Sequence, residues 1–335
     1  MSQSTNLSLD ARLTVEVSPS ARSASDFAQD VLEGLSVQPK RLSPKYFYDE
    51  TGSKLFEEIC DLPEYYVTRT ELSILQRVAS EIAECAEGNM SVIELGSGSS
   101  RKTCLLIDAL IAQQGALHYL PIDISESMLI QSAKRLLDIF PELEVTAHVA
   151  EYNAGMRRIA EENLGQKMMV FLGSNIGNFD THEAVAFLHT IRRCLNRRDY
   201  LLLGMDMQKD VSVLEAAYDD SRKVTAAFNL NLLHHINREL DGNFNVDNFS
   251  HLARYNAAQT RIEMHLRSER AQEVHVGKLN TTFQFRRGET IHTENSYKYS
   301  KAQILDMCSQ TGFQWTQSWQ DERGYFSLNL LTPVA

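Results

Sequence analysis

The stretch that decides the fold is Ile93-Glu94-Leu95-Gly96-Ser97-Gly98-Ser99-Ser100. It closes a short apolar run, Met90–Leu95, and leads into a segment with helical character from Arg101 to Ala112. A buried strand that turns through glycines into a helix is the first βα turn of a doubly wound sheet, where such sheets bind nucleotide-like ligands. Gly96 and Gly98 would let the backbone approach a ligand more closely than side chains permit.

The chemistry of this turn separates two classes of cofactor. A dinucleotide fingerprint reads G-x-G-x-x-G, but its last position is Arg101 here, and that glycine normally lets the helix pack close beneath a pyrophosphate. An acidic residue just before the glycines, Glu94, is the pattern of S-adenosylmethionine (SAM) methyltransferases. The turn therefore favours SAM, and a nicotinamide cofactor is the alternative.

Strand and helix patterns alternate along the chain after this turn. The strand-like runs are 90–95, 117–123, 143–149, 167–173 and 200–206. This alternation predicts βαβ units in an α/β, doubly wound and mostly parallel sheet with helices on both faces. A helix over 301–311 and strands over 313–319 and 325–331 are expected to return to the sheet edge.

A different pattern follows about Asp206. Period-two alternation, typical of antiparallel strands, marks 259–268, 273–276 and 280–286, whereas 238–258 is predicted to be polar with loops. We therefore predict a Rossmann-like methyltransferase domain with an inserted α+β substrate-binding domain. The predicted divisions are a flexible tail (1–25), a SAM-binding domain (68–206 and 297–335) and a substrate-binding domain (26–67 and 207–296).

Composition limits the possible partners. The chain has 335 residues, with 33 Lys and Arg against 44 Asp and Glu, and a formal charge of −11. This balance disfavours nucleic acid, which needs clustered basic residues. No apolar run approaches the roughly 18 residues of a membrane span, and the N-terminus has no signal-peptide core. The five cysteines are widely spaced without a C-x-x-C pair, so we expect reduced thiols in the cytoplasm and no metal site. We also expect no membrane partner and a monomer.

Acidic residues follow two later strands of the predicted sheet. Asp123 ends the second strand, 25 residues after Gly98, where a carboxylate can accept hydrogen bonds from both ribose hydroxyls. The alternative is a turn or helix-cap aspartate, a role for which Ser125 competes. Glu151 and Tyr152 follow the third strand, where a carboxylate can accept from an exocyclic amine and a ring can lie against adenine. Taken alone, Glu151 is more typical of a solvated loop.

A loop with two glycines and two asparagines follows the fourth strand, in Phe171-Leu-Gly-Ser-Asn-Ile-Gly-Asn-Phe179. It lies at the carboxyl end of the predicted sheet, beside the switch point. Amino methyltransferases often use this loop to hold the accepting nitrogen near the sulfonium. The amide of Asn178 both donates and accepts, so it could orient an amine and contact a carboxylate; the alternative is a structural Asn-Gly turn.

Several motifs together resemble the histidine-specific methyltransferase family of ergothioneine biosynthesis. The resemblance covers nearly the whole chain from about residue 26, and it is carried by Lys45-Tyr-Phe-Tyr-Asp, Leu62-Pro-Glu-Tyr-Tyr-Val-Thr-Arg-Thr-Glu, Glu94-Leu-Gly-Ser-Gly-Ser-Ser-Arg-Lys-Thr, Phe171-Leu-Gly-Ser-Asn-Ile-Gly-Asn-Phe, Tyr218-Asp-Asp and Arg261-Ile-Glu-Met-His-Leu. The family uses SAM to methylate the α-amine of L-histidine three times, which gives hercynine.

The resemblance implies a role for particular positions. The implied SAM contacts are Gly96, Lys102, Asp123, Glu151 and Tyr152. The implied contacts to the amino and carboxylate end of histidine, and to its mono- and dimethyl forms, are Tyr48, Tyr65, Gly173, Asn178 and Tyr218, with Tyr48 and Asn178 positioning the amine. The implied contacts to the imidazole are Glu294 and Ser296, with Met264 and Phe56 as pocket walls. Two departures are conservative: Glu151-Tyr152 stands where the family commonly has Asp-Phe, and Asn175 where Thr is frequent.

The imidazole assignment has a physical basis of its own. Glu294 and Ser296 are two residues apart, so on a strand both point to one face. A carboxylate and a hydroxyl there can pair with the two imidazole nitrogens, whereas an exposed strand with one polar face is the alternative. The sequence therefore predicts a histidine Nα-methyltransferase; rival functions are methylation of tryptophan or a derivative, which the carboxylate of Glu294 disfavours, and non-catalytic SAM binding.

Overall fold

A computed structural model describes residues 5–18, 24–160, 162 and 164–334. Strands and helices are numbered along the chain. The strands are β1 (Thr5–Asp10), β2 (Leu13–Val17), β3 (Lys40–Arg41), β4 (Met90–Leu95), β5 (Leu117–Asp123), β6 (Leu143–Val149), β7 (Gln166–Phe171), β8 (Tyr200–Asp206), β9 (Phe249–Asn256), β10 (Arg261–Ser268), β11 (Gln272–Val276), β12 (Thr281–Phe285), β13 (Thr290–Tyr297), β14 (Phe313–Gln320) and β15 (Phe326–Pro333). The α-helices are α1 (Ala24–Ser36), α2 (Glu50–Cys60), α3 (Tyr66–Ala83), α4 (Thr103–Gln114), α5 (Glu126–Ile139), α6 (Tyr152–Ile159), α7 (Thr181–Cys194), α8 (Val211–Tyr218), α9 (Val224–Leu240) and α10 (Lys301–Thr311).

The described chain divides into two compact units. Unit 1 comprises the described residues of Met1–Arg22, Val67–Gln208 and Lys298–Ala335. Unit 2 comprises those of Ser23–Tyr66 and Lys209–Tyr297. Each unit is therefore assembled from segments that are distant in sequence.

Unit 1 is built on one nine-stranded sheet in the order β1-β2-β6-β5-β4-β7-β8-β15-β14. The strands from β2 to β8 pair in parallel, and β15 and β14 add antiparallel at one end. Every residue of β4 is buried, as expected for a parallel strand covered on both faces. The α/β, doubly wound prediction is confirmed, including the return of the last two strands to the sheet edge.

The order of strands places a switch point at β4. The chain runs from β4 through β5 to β6 on one side, and then returns to β7 and β8 on the other side of β4. The loops that leave β4 and β7 therefore diverge at the carboxyl ends of adjacent strands, which is the ligand-binding position of such sheets. These loops contain Gly96 and Gly173 respectively.

The prediction of a flexible tail over 1–25 is wrong for the residues that the structure describes. β1 and β2 form an antiparallel hairpin, and β2 pairs in parallel with β6. The period-two run Leu13-Thr-Val-Glu-Val17 buries Leu13, Val15 and Val17 on the sheet, a signal that the Ser-rich neighbourhood obscured. Residues 1–4 and 19–23 of that predicted tail lie outside the described residues.

Unit 2 contains a four-stranded sheet in the order β3-β13-β10-β9, and β11 and β12 form a separate hairpin. β9, β10 and β13 pair antiparallel, as the alternation of 259–268 indicated. The prediction of polar loops over 238–258 is wrong, because α9 extends to Leu240 and β9 covers Phe249–Asn256. β9 lies at the edge of the sheet and most of its residues are half-exposed. Its sequence therefore lacks the alternation of apolar and polar residues that would predict a strand.

Candidate functional site

In unit 1 the glycine turn after β4 has the backbone geometry that requires glycine. Gly96 has φ +73° and Gly98 has φ +48°, left-handed values that side chains rarely tolerate. A Cβ on Gly96 would lie 2.8 Å from the Tyr152 hydroxyl and 3.1 Å from Asn175 Nδ2, whereas a Cβ on Gly98 would meet nothing within 4 Å. Gly96 is thus fixed by close packing, and Gly98 faces open space.

Asp123 is tied directly to this turn. Its carboxylate accepts from the Gly98 N–H and from the Ser125 N–H, each at 2.9 Å. Burial raises the pKa of the Asp123 carboxyl, against the effect of these two N–H donors. The turn-aspartate alternative is therefore realised, since Asp123 holds the glycine turn while Ser125 makes no side-chain cap to α5. A carboxylate has about four acceptor positions, so this does not prevent contacts to a ribose.

Glu94 lies beneath the turn. It is buried and accepts hydrogen bonds from the hydroxyls of Thr103, at the start of α4, and Tyr119 of β5. Burial raises the pKa of Glu94 to about 7, and the two hydroxyl donors oppose that shift. The acidic residue of the sequence motif thus braces the strand and helix on which the turn is built.

Tyr152 begins α6 beside the turn, and Glu151 directly precedes that helix. The Tyr152 ring packs edge-on against Phe171 at 5.4 Å and is tilted against Phe187 at 5.6 Å, between ring centroids. Its hydroxyl is the group that a Cβ on Gly96 would meet. Glu151 is the exposed residue preceding α6 and makes no side-chain cap. The structure therefore brings Tyr152 and Gly96 together and places Glu151 at the adjoining surface.

The loop after β7 is held in place along its length. Gly173 has φ +73° and Ser174 has φ +59°, an unusual value for a residue with a side chain. The Asp206 N–H donates to Ser174 Oγ at 2.9 Å, and the Tyr299 hydroxyl donates to the Ile176 carbonyl at 3.3 Å. The loop ends in the short 3-10 helix Asn175–Asn178, so the half-buried Asn178 stands on a fixed backbone.

A buried carboxylate that the sequence reasoning missed connects this loop to Lys102. Glu71 of α3 is fully buried, and the Gly173 N–H donates to its two oxygens at 3.0 and 2.9 Å. The ammonium of Lys102 donates to Glu71 at 2.6 Å. Glu71 shares the buried face of α3 with Ile74, Leu75 and Val78, and a charged residue on an apolar helix face was the signal available in the sequence.

The residues around the glycine turn of unit 1 fit a nucleoside-bearing cofactor. Ser97 Oγ is buried in the glycine turn and has no hydrogen-bond partner among the described residues, although such groups normally find one. The space beside Gly98 is open, and the carboxylate of Asp123 and the ring of Tyr152 flank the same turn. This set of an unpaired hydroxyl, an acidic group and an aromatic ring fits the adenosine part of SAM.

In unit 2 the predicted tyrosines form a chain of ring contacts. Tyr48 meets Phe56 at 5.6 Å, Phe56 meets Tyr65 at 6.3 Å, and Tyr65 meets Tyr218 at 6.1 Å, each edge-on between centroids. Burial raises the pKa of Tyr65 well above its usual value, and the neighbouring Tyr218 adds to that shift. Tyr65 is therefore a neutral phenol at physiological pH, suited to hydrogen bonding and shape rather than to accepting protons.

The predicted imidazole contacts adjoin this chain. Tyr218 and Ser296 join their hydroxyls at 2.6 Å. Glu294 of β13 pairs directly with Met264 of β10, and residues opposite each other in a ladder present their side chains to the same face. Glu294 is also close enough to Tyr65 to raise the pKa of its phenol. The structure therefore brings together the predicted substrate contacts of this unit.

Two supports of this cluster were missed in the sequence. Phe228 of α9 contacts the rings of Phe56 and Tyr48 at 5.9 and 5.8 Å. His251 of β9 hydrogen-bonds the Tyr218 carbonyl at 2.8 Å through Nε2. Neither could be found from local pattern, because each meets the cluster through pairing of distant segments.

The fold and the cofactor half of the site define a class I SAM-dependent methyltransferase: the switch point at β4, the glycine turn and the acidic residue ending β5 are its characteristic arrangement. The sequence profile of the family described as "Histidine-specific methyltransferase, SAM-dependent" matches residues 27–333. The chain belongs to this family, and it is a SAM-dependent N-methyltransferase. The resemblance predicted from the motifs is thereby confirmed.

Named relatives agree with this membership. The chain is 40% identical over 302 residues to a histidine N-alpha-methyltransferase of Mycolicibacterium smegmatis, covering 90% of this chain and 93% of that one. It is 28% identical to ergothioneine biosynthesis protein 1 of Schizosaccharomyces pombe, of which the match covers 39%. It is 27% identical to an L-tryptophan methyltransferase of Psilocybe serbica, over 89% of this chain and 90% of that one. Among solved structures, the mitomycin 7-O-methyltransferase MmcR matches 93% of this chain and 68% of its own, at 11% identity and a TM-score of 0.46.

Two kinds of feature are absent from the part of the chain that the structure describes, a membrane-spanning helix and a metal-binding cluster. None of their helices combines the length and apolar character needed to cross a membrane. No cluster of three or more His, Cys, Asp or Glu side chains in the described ranges is arranged to hold a metal ion.

Proposed function

We propose that this chain transfers methyl groups from SAM to the α-amino nitrogen of L-histidine, in three rounds, to give hercynine, the first step of ergothioneine biosynthesis. One arrangement in unit 2 carries the proposal. Glu294 and Met264 are paired on the same face of the sheet, and the hydrogen-bonded hydroxyls of Tyr218 and Ser296 lie beside them. A carboxylate and a hydroxyl on one face suit the two nitrogens of an imidazole. The 40% identity to a histidine N-alpha-methyltransferase supports the same substrate.

SAM supplies an electrophilic methyl group on its sulfonium. We assign the cofactor contacts to Gly96, Lys102, Asp123, Glu151 and Tyr152. The ribose would bind at Asp123, and the adenine at Glu151 and Tyr152. Lys102 would attract the carboxylate of the methionine part. The chain's contribution to the reaction is then positioning and exclusion of water, which can supply most of the acceleration of a methyl transfer.

The substrate amine must be neutral to attack. A free α-ammonium has a pKa of about 8 to 9, so a fraction of the substrate is neutral near that pH without a dedicated base. We assign the orientation of the amine to Asn178 and Tyr48, and contacts to the amino and carboxylate end to Tyr65, Tyr218 and the Gly173 backbone. The raised pKa of Tyr65 supports a hydrogen-bonding role rather than that of a base, so the proton of the amine leaves to water.

Repeated methylation needs space beside the nitrogen. Gly173 and Gly177 carry no side chain, and they flank the loop that ends in Asn178. A side chain at either position would take up space close to Asn178, and at Gly173 its Cβ would already lie 3.2 Å from Lys102 Nζ. This feature supports a trimethylated product over a single methylation.

The test is incubation of the purified chain with SAM and each of the common amino acids, followed by mass spectrometry. We expect mass gains of one, two and three methyl groups on histidine, with fragmentation that places them on the α-nitrogen. Methylation of tryptophan but not of histidine would overturn the substrate assignment. A product that stops at one methyl group would overturn the proposed trimethylation while leaving the substrate intact.

A further inference from the structure

Glu71 occupies a buried position, where an ionised side chain lowers the stability of the fold unless it is paired. Its side chain is fully buried, and a buried carboxylate must be paired and hydrogen-bonded to be tolerated. Its partners are the Gly173 N–H, at 3.0 and 2.9 Å from its two oxygens, and the Lys102 ammonium at 2.6 Å. Replacing buried ion pairs by apolar residues is often neutral or stabilising, so stability alone is a weak reason for this pair.

The surrounding backbone leaves room for this carboxylate. Gly204 lies inside β8, where a Cβ would come within 2.1 Å of a Glu71 oxygen. A Cβ on Gly173 would lie 3.2 Å from Lys102 Nζ. The two glycines therefore allow Glu71, Lys102 and the start of the β7 loop to meet at one point.

We propose that Glu71 is a positioning residue for the methyl transfer. Its carboxylate holds the Lys102 ammonium at the place where the carboxylate of the cofactor is to bind. The same carboxylate holds the N–H of Gly173, at the start of the loop that carries Asn178. One buried carboxylate thus fixes the position of the cofactor's amino-acid end relative to the loop that orients the amine. This inference rests on the proposed function, because it takes Lys102 as the partner of the cofactor's carboxylate.

Lys102 needs such an anchor. Its side chain is 22% exposed, and a long lysine side chain with access to water readily directs its ammonium into solvent. A charge-assisted hydrogen bond to a buried carboxylate is among the stronger restraints available to it. Removal of that charge should therefore weaken ligands that use Lys102 and spare those that do not.

The opposite end of β7 provides a matched control. Asp199 is also a buried carboxylate; it accepts from the Lys167 N–H at 2.9 Å and pairs with Lys167 Nζ at 3.5 Å. Its combination of a backbone donor and a lysine copies that of Glu71, at the end of the strand away from the glycine loops. Asp199→Asn thus removes a comparable charge without touching the proposed site.

The experiment measures binding by calorimetry in the full-length chain. The ligands are S-adenosylhomocysteine, which has the amino-acid end of the cofactor, and methylthioadenosine, which lacks it. Glu71→Gln keeps the size and an acceptor for Gly173 but removes the charge. We expect it to weaken S-adenosylhomocysteine binding about ten- to hundredfold and methylthioadenosine binding less than about twofold, the range for a lost charged hydrogen bond.

The controls separate this inference from the proposed function. Asp199→Asn should leave both affinities within about twofold of wild type. In a Lys102→Ala background, Glu71→Gln should add little further loss, because the two residues act through one contact. Equal losses for both ligands, or unchanged S-adenosylhomocysteine affinity in Glu71→Gln, would overturn the role of Glu71. Unchanged affinity in Lys102→Ala would instead overturn the cofactor assignment of Lys102 and with it this inference.

If Glu71→Gln does not fold, as judged by thermal unfolding, Glu71→Asp serves as the second variant. It keeps the charge but withdraws it by one methylene, so the selective loss for S-adenosylhomocysteine should persist at a smaller size. An equal loss for the two ligands would count against the proposal in this variant too.

Discussion

The hydroxyls of Tyr218 and Ser296 lie 2.6 Å apart, although 78 residues separate them in the sequence. Tyr218 ends α8 and Ser296 lies in β13, so this contact joins a helix of unit 2 to its sheet. The Tyr218 carbonyl is in turn bonded by His251. Both ends of Tyr218 are therefore fixed, as a residue that orients a small polar substrate requires.

Tyr218→Phe removes one hydroxyl and retains the ring packing against Tyr65. We expect the KM for histidine to rise about tenfold, since a neutral hydrogen bond contributes about 1 kcal/mol or somewhat more when its partner stays buried, and the KM for SAM to stay within about twofold. Steady-state kinetics with each substrate varied would show this. Tyr46→Phe is the control, because Tyr46 donates to Asp30 at 2.6 Å elsewhere in unit 2; an equal rise in both variants would refute a specific role for Tyr218.

Glu294→Ala should relax the choice of amino acid. A site that hydrogen-bonds its substrate rejects analogues because its own polar groups are left unpaired, and that discrimination can be large. We expect the ratio of kcat/KM for histidine over tryptophan to fall at least about a hundredfold. Competition assays with mass detection would measure it. Glu269→Ala, which removes an exposed glutamate bonded to Arg267 and Ser250, should leave the ratio unchanged; a ratio that Glu294→Ala also leaves unchanged would remove the imidazole assignment.

The sequence was sufficient for features that depend on local pattern. Positions 294 and 296 were assigned through the resemblance to the family, whereas the glycine turn and the strand ending at Asp123 follow from apolar runs, because each is set by residues that are close in the chain. Even there the role of Asp123 was only half predicted. Its bonds to the Gly98 and Ser125 N–H groups show that it shapes the turn itself.

Features that depend on distant segments left only weak signals in the sequence. Glu71 accepts a hydrogen bond from Gly173, which is 102 residues away in the sequence, and no local pattern predicts that contact. The hairpin of β1 and β2 depends on pairing with β6, and β9 depends on β10. In each case tertiary pairing overrides a weak local preference, as is common for edge strands.

Gly96→Ala should destabilise the chain more than Gly98→Ala. Both substitutions force a side chain into left-handed backbone, at a cost of about 1–2 kcal/mol, but only Gly96 would bring its Cβ against the Tyr152 hydroxyl. Adding Tyr152→Phe to Gly96→Ala should restore part of the difference, because the clashing atom is removed. Chemical unfolding of the ligand-free variants would test this. Gly88→Ala is the control for backbone strain without a clash, because Gly88 has φ +116° and a Cβ there would meet nothing within 4 Å. Equal costs at positions 96 and 98 would contradict it.

Glu94 should make the free energy of unfolding fall as the pH rises from about 4.5 towards neutrality. Burial raises its pKa from the usual 4.5 to about 7 in the folded chain, so between these values the folded state holds a proton that the unfolded state has released. The unfolding free energy should therefore decrease by about 3 kcal/mol across this window and level off above it. Glu94→Gln, which cannot ionise, should lack this slope when thermal unfolding is followed from pH 5 to pH 8.

Glu263→Gln is the control for this pH dependence. Side-chain hydrogen bonds from Asn256, Arg261 and Arg254 outweigh burial and lower the pKa of Glu263 from 4.5 to about 2. This carboxyl is therefore ionised in the folded state throughout the range, and largely ionised in the unfolded state except near pH 5. Its replacement should shift stability by a constant and leave the slope intact. A slope that survives in Glu94→Gln would mean that another group holds the proton, and that the bonds from Thr103 and Tyr119 keep Glu94 ionised in the folded chain.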